Sequence, residues 1–147
     1  MRFADRIRRL WRGRGNGVHS PFAYRFITEV LHQRDGYYAY DELESDIERM
    51  AYRVALSVSP QRVTLRHGDE ALQRALDLGH RHGLPRDRQP GISGAEMAVK
   101  GASFAGDVAA MRRRLDAEGC GMLFEGRRAA VAVRSPRLPR TDYMIDI

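Results

Sequence analysis

A chain of 147 residues, 43% of them hydrophobic and 30% charged, has the length of one domain with a packed core and is too short for two ordinary ones. Its formal net charge is +6, and Lys100 is the only lysine among 25 basic residues; arginine richness invites a nucleic-acid partner, although the scatter of arginines from end to end is more plainly explained by a genome that favours their codons. The single cysteine, Cys120, excludes an intrachain disulfide and a cysteine-based metal cluster; with no apolar run of about 18 residues and no apolar signal core behind the basic N-terminus, the expectation is an unexported cytoplasmic protein without a membrane span.

Residues 2–12 place Phe3, Ile7, Leu10 and Trp11 on one stripe of a short amphipathic helix, with arginines opposite. Docking on the parent domain or on a partner protein fits this stripe best; an anionic membrane surface and RNA are the other readings. Gly13, Gly15 and Gly17 then make a turn. Ser20 is placed as an N-cap and Pro21 at the first helical position, where its missing N–H is harmless. The helix is expected to run to about Leu31 on Phe22, Phe26, Ile27, Val30 and Leu31. His19 lies just outside the cap, and with no paired Asp, Glu, Ser or Cys identifiable beside it, a loop-fixing role suits it better than a catalytic one.

A connector bearing Tyr37, Tyr38 and Tyr40 leads to Asp41, which is expected to cap a third helix with Glu44 at the capping-box spacing. Leu43, Ile47, Met50, Ala51, Val54 and Val58 continue its stripe until Ser59-Pro60 ends it. The acidic residues Asp41, Glu42, Glu44, Asp46 and Glu48 suit the start of that helix through its dipole better than they suit a metal ion.

Beyond residue 60 the period changes. Arg62–Arg66 reads as a strand, about Asp69–His82 as a helix, and His82–Gly94 as a polar turn rich in Pro and Gly. A strand through Glu96–Val99 leads past Gly101 to a helix from about Ser103 to Glu118, which Gly119 is placed to terminate. CGMLFE, RAAVAVR and YMIDI close the chain as strands. This order predicts an α/β fold with a largely parallel sheet and an antiparallel hairpin at its end. His80 and His82 are two apart, the wrong spacing for one helical face, so no zinc site is expected. Cys120, between glycines, reads as a small core residue.

The segment Asn16-Gly17-Val18-His19-Ser20-Pro21-Phe22-Ala23-Tyr24-Arg25-Phe26, followed by a tyrosine connector and another helix, resembles the N-terminal helical part of class I S-adenosylmethionine-dependent methyltransferase-like proteins. The resemblance implies one domain over 1–147, with a helical extension at 1–59 and a truncated Rossmann-like core at 60–147. It equates RVTLR with the family's first strand, EMAV with the fourth and GMLFEG with the fifth. Each parallel crossover takes a dozen residues or more, so the 13 residues from His82 to Gly94 cannot hold the family's second and third strands. The implied sheet is 1-4-5-7-6, with strand 1 as a new edge that a homodimer could cover.

By resemblance alone, Gly68, Asp69 and Gly101 are the positions that would touch the cofactor. The glycine-rich loop is reduced to His67-Gly68-Asp69, the ribose-holding carboxylate strand is missing, and Glu125 is the only acidic match near the fifth strand. No catalytic residue and no metal ligand is expected, and no cofactor unless activity is retained, in which case it is S-adenosylmethionine. The resemblance and the missing strands together imply a degenerate methyltransferase-like protein, a pseudoenzyme acting as a binding or scaffolding domain. One alternative is a residual methyltransferase completed by dimerisation, with Glu125 or His67 as base. The other is a basic module that binds RNA or another nucleic acid through the N-terminal arginines, Arg112-Arg113-Arg114 and Arg127-Arg128.

Overall fold

Ser20 accepts a hydrogen bond from the Ala23 N–H at 3.1 Å, and Pro21 follows it at the head of helix α1. In this computed structural model, which describes residues 20–32, 38–83 and 91–147, α1 spans Pro21–Arg25 and widens into a π-helical continuation, Phe26–Leu31. The expectations for helix 2–12, for His19 and for Tyr37 lie outside the described residues.

The expected cap at Asp41 is displaced. Tyr38–Glu42 forms a short 3-10 turn, and helix α2, Asp46–Val58, starts behind Ser45. Ser45 Oγ accepts from the Glu48 N–H at 3.2 Å and donates to the Glu48 carboxylate at 2.7 Å. Two Ser/Asp-x-x-Glu patterns, Asp41–Glu44 and Ser45–Glu48, stand back to back in this stretch, and the serine box wins because it sets Ile47, Met50, Ala51 and Val54 against the core while leaving Asp41 and Glu44 in water.

Strand β1, Val63–Arg66, leads into helix α3, Glu70–His82, whose N-cap Asp69 accepts from the Leu72 N–H at 2.9 Å. Strand β2, Gly94–Val99, then lies parallel to β1 with Val63 opposite Ala95 and Arg66 opposite Ala98. Helix α4, Phe104–Glu118, ends at Gly119 in the left-handed region, φ 71°, as its position predicts. Strands β3, Met122–Glu125, β4, Ala129–Arg134, and β5, Thr141–Met144, complete a mixed sheet of order β1-β2-β4-β3-β5.

The α/β class and β1 at an edge of the sheet match expectation; the order 1-4-5-7-6 does not. Only Gly126, Arg127 and Arg128 separate β3 from β4, too few for any crossover, so the chain turns back as a hairpin with Gly126 N–H on the Ala129 carbonyl at 2.9 Å. The returning β4 slots between β2 and β3, antiparallel to both. The hairpin is therefore β3–β4 rather than the last pair, and β5 runs parallel to β3 on its far side.

Period-two burial divides the sheet into two faces. Ala95, Met97, Met122, Phe124, Val131, Val133 and Tyr143 meet α1, α2 and α3 in the larger core, where Phe124 stacks on Tyr143 and tilts against Phe26. Opposite, Ala98, Leu123, Ala130 and Ala132 let α4 sit close through Val108, Met111 and Leu115. One helix cannot cover five strands, and charged side chains line its flanks.

Candidate functional site at the carboxyl edge

The parallel strands β1, β2, β3 and β5 all end on the same edge of the sheet, where β4 begins. In open α/β sheets this is the edge at which backbone amides, helix starts and loops converge on ligands. Gly68 and Asp69 follow β1 there, and Gly101 follows the neighbouring β2, so the three residues singled out by resemblance share this edge. Their roles diverge. Gly68 is exposed, and a Cβ there would collide with the half-buried Leu65 side chain. The Asp69 carboxylate caps α3. Gly101 is exposed and would meet nothing closer than the Val99 carbonyl at 4.0 Å.

Beside them the chain builds a pair that sequence reasoning missed. His67 stands at φ 48°, a left-handed conformation uncommon for a residue with a side chain. Its Nδ1 lies 2.8 and 2.9 Å from the two carboxylate oxygens of Asp107 in the first turn of α4. Asp107 is buried, with 5% of its side chain exposed, while the imidazole is 67% exposed. A carboxylate only accepts, so the Nδ1–H is the donor, and Nε2 on the other side of the ring has no partner among the described residues. The two residues lie 40 positions apart, and Asp107 reads in the sequence as an ordinary first-turn acid; nothing local reveals the pairing.

The other expected chemistry is committed internally. Glu125 is bonded to Arg112 at 2.7 Å, and Arg112 also meets Asp142 at 3.3 Å. Arg114 bonds Glu96 at 2.5 Å and approaches Glu118 at 3.7 Å. The triple arginine therefore does not present a three-pronged cationic surface: Arg112 and Arg114 lie against the sheet face beside α4, and of the three only Arg113 has no acidic partner among the described residues. Arg127 and Arg128 remain exposed on the β3–β4 turn.

On the helical face of the same edge is a cavity of about 480 Å³ between the end of α1, the first turns of α2, the β3–β4 turn and the residues after β5. Buried Arg53 forms its rigid wall. Its Nε donates to the Val30 carbonyl at 2.6 Å, Nη2 to the Leu31 carbonyl at 3.1 Å and Nη1 to the Tyr40 hydroxyl at 2.8 Å, satisfying acceptors at the end of α1. Tyr40 also packs edge-on against Tyr52, the packing role expected of the connector. Arg49 and Arg128 complete the cationic part of the lining.

The two helix histidines are structural. His80 Nε2 accepts from the Val63 N–H at 3.2 Å, and burial, with Arg62 nearby, holds its pKa below the usual imidazole value. His82 Nδ1 pairs with the Tyr52 hydroxyl at 2.9 Å. Cys120 is only half-buried, in a single bridge to Pro139, rather than a core residue. Among the described residues no set of three His, Cys, Asp or Glu side chains is arranged to hold a metal ion, and no helix is long and apolar enough to cross a membrane. Comparison with protein families, with curated proteins and with solved structures yields no match.

Proposed function

We propose that this chain is a reduced methyltransferase-like domain that binds a ligand at the carboxyl edge of its sheet and has given up methyl transfer. The observation that carries the reading is the position of β1 as the outer strand of the described sheet, with the Asp69 carboxylate behind it already capping α3. A dinucleotide-type or adenosyl ligand needs a loop whose backbone is open to it and a carboxylate strand beyond β1. The cavity of about 480 Å³ on the helical face lies in the size range of small-molecule sites and supports binding elsewhere on the same edge.

Calorimetric titration with S-adenosylmethionine, joined to a mass measurement in solution, tests this. No saturable 1:1 heat is expected. Tight binding by a monomer would restore a working methyltransferase to first place.

A second reading is a residual enzyme completed by a homodimer, and the open Nε2 of the His67–Asp107 pair favours it. Its signature is cofactor turnover that appears only in a dimeric fraction and disappears in His67→Gln. Nucleic-acid binding through α4 is disfavoured because Arg112 and Arg114 are neutralised within the chain.

A further inference from the structure

The pairing of His67 with Asp107 does more than the fold requires. Asp107 is buried in the first turn of α4, and His67 is its only side-chain partner among the described residues. A buried carboxylate is costly unless it is matched, yet the match here is a largely exposed imidazole on a backbone at φ 48°. An exposed ring contributes little as a tether. A residue in a sparsely populated conformation, held against a buried acid, has the marks of a site that does chemistry. The carboxylate takes the Nδ1–H and leaves Nε2, across the ring, without a partner among the described residues. No Ser, Thr or Cys there is hydrogen-bonded to it, so the ring does not activate a nucleophile of the protein. With its lone pair facing solvent, the ring is itself the nucleophile.

The surroundings select the electrophile. Arg66 stands opposite Ala98 in the parallel pair, so His67 leaves β1 level with Val99, and Lys100 is the next residue on β2. Lys100 is exposed and has no acidic partner among the described residues, and its N–H is held by the carbonyl of equally exposed Arg128 at 2.8 Å. The nearest acid in sequence, Asp69, is turned to the Leu72 N–H at the start of α3. These cations favour an anionic group at Nε2, and phosphate is the anion that is also an electrophile. From this we infer that His67 is a phosphoryl-accepting nucleophile, with Asp107 as its positioning residue and an acyl phosphate as its donor class. Nε2 forms a bond to phosphorus, the bond from phosphorus to the acyl oxygen breaks, and the carboxylate departs with the electron pair. That leaving group needs no proton, which suits a ring with no acid hydrogen-bonded on its far side. The Nδ1 proton stays between the ring and Asp107, whose charge balances the one gained by the ring. Attack of water on phosphorus then releases phosphate and restores the imidazole. This activity goes beyond the ligand binding proposed above and does not depend on it.

The experiment incubates the whole chain with acetyl phosphate and reads intact mass, ³¹P NMR and peptide mapping at alkaline pH, where an N–P bond survives. Label is expected at His67, forming about tenfold faster than at His82, which is also exposed but whose Nδ1 pairs with the neutral Tyr52 hydroxyl. His67→Gln should remove the fast label. Asp107→Asn should lower the ratio of His67 to His82 labelling about tenfold with the rate at His82 unchanged, a result that general loosening of the fold would not give. If that variant does not fold, the ratio in the native chain still decides, and Lys100→Met, on an exposed loop, should slow His67 labelling about threefold. Equal labelling of His67 and His82, a ratio unmoved in Asp107→Asn, or no N–P resonance overturns the assignment. Methyl transfer from S-adenosylmethionine that His67→Gln abolishes, with no phosphoryl label, overturns it in favour of the base role named above.

Discussion

Removing the two arginines that clasp Glu96 should damage this protein far more than removing Glu96 itself. Glu96 points from the centre of β2 toward α4 with 3% of its side chain exposed, bonded to Arg66 Nε at 2.8 Å and Arg114 Nη1 at 2.5 Å. The arginines keep contact with water, 30% and 47% exposed. Arg66→Met/Arg114→Met leaves a buried carboxylate without a counter-charge, which costs about 3–5 kcal/mol. In Glu96→Gln the amide oxygen still accepts one N–H and both guanidinium groups remain partly hydrated, so the loss is about 1 kcal/mol. Urea denaturation separates the two: with a slope of about 2 kcal/mol per molar, the double variant should lose about 2 M in midpoint and Glu96→Gln about 0.5 M. A midpoint for Glu96→Gln at or below that of the double variant would refute the premise that burial of the acid, rather than pairing as such, sets the energy.

Gly79→Ala should destabilise although alanine is the better helix former by about 1 kcal/mol: its Cβ would stand 2.5 Å from the Tyr52 carbonyl oxygen and 2.7 Å from Ala55 Cβ, where α2 and α3 touch. Overpacking of about 1–3 kcal/mol outweighs the gain, and differential scanning calorimetry should show a Tm lower by about 2–5 °C. Because the pKa of His80 is lowered in the folded chain, its contribution to stability is full above about pH 6.5 and is lost as pH falls through the folded value. His80→Gln should flatten that part of a stability–pH curve, and an unchanged curve would rule the histidine out. Tyr143 carries a buried hydroxyl with no hydrogen-bond partner among the described residues and a pKa raised by that burial. Tyr143→Phe should therefore unfold at the same urea concentration or higher at pH 7, and should lose less stability above about pH 10, where the native tyrosine is driven to ionise on unfolding; a clear loss at pH 7 would show that the hydroxyl does have a partner.

Local patterns carried most of the secondary structure. Ser20-Pro21 starts α1, Asp69 starts α3 and Gly119 stops α4, each within one turn of backbone and each legible from residue type. The shortness of the stretch between His82 and Gly94 was informative as well: it leaves no room for a further crossover, so the next strand after α3 is β2, which pairs with β1, while the edge position of β1 was an implication of the resemblance. Where two local signals competed, as with Asp41 and Ser45, burial of the stripe chose between them.

The chain by itself determined the alternation of strands and helices and most of the caps, because these depend on neighbours in sequence. Only the tertiary structure decided that β4 enters between β2 and β3, that Asp107 meets His67 across 40 residues, and that Arg112 and Arg114 turn inward to Glu125 and Glu96 while Arg49 and Arg128 face a cavity. Strand order and charge pairing are contests among distant partners, settled by which apolar faces must be covered and which buried charges must be matched. An arginine in a sequence is only a positive charge; whether it binds a ligand or its own fold is decided by what folds up beside it.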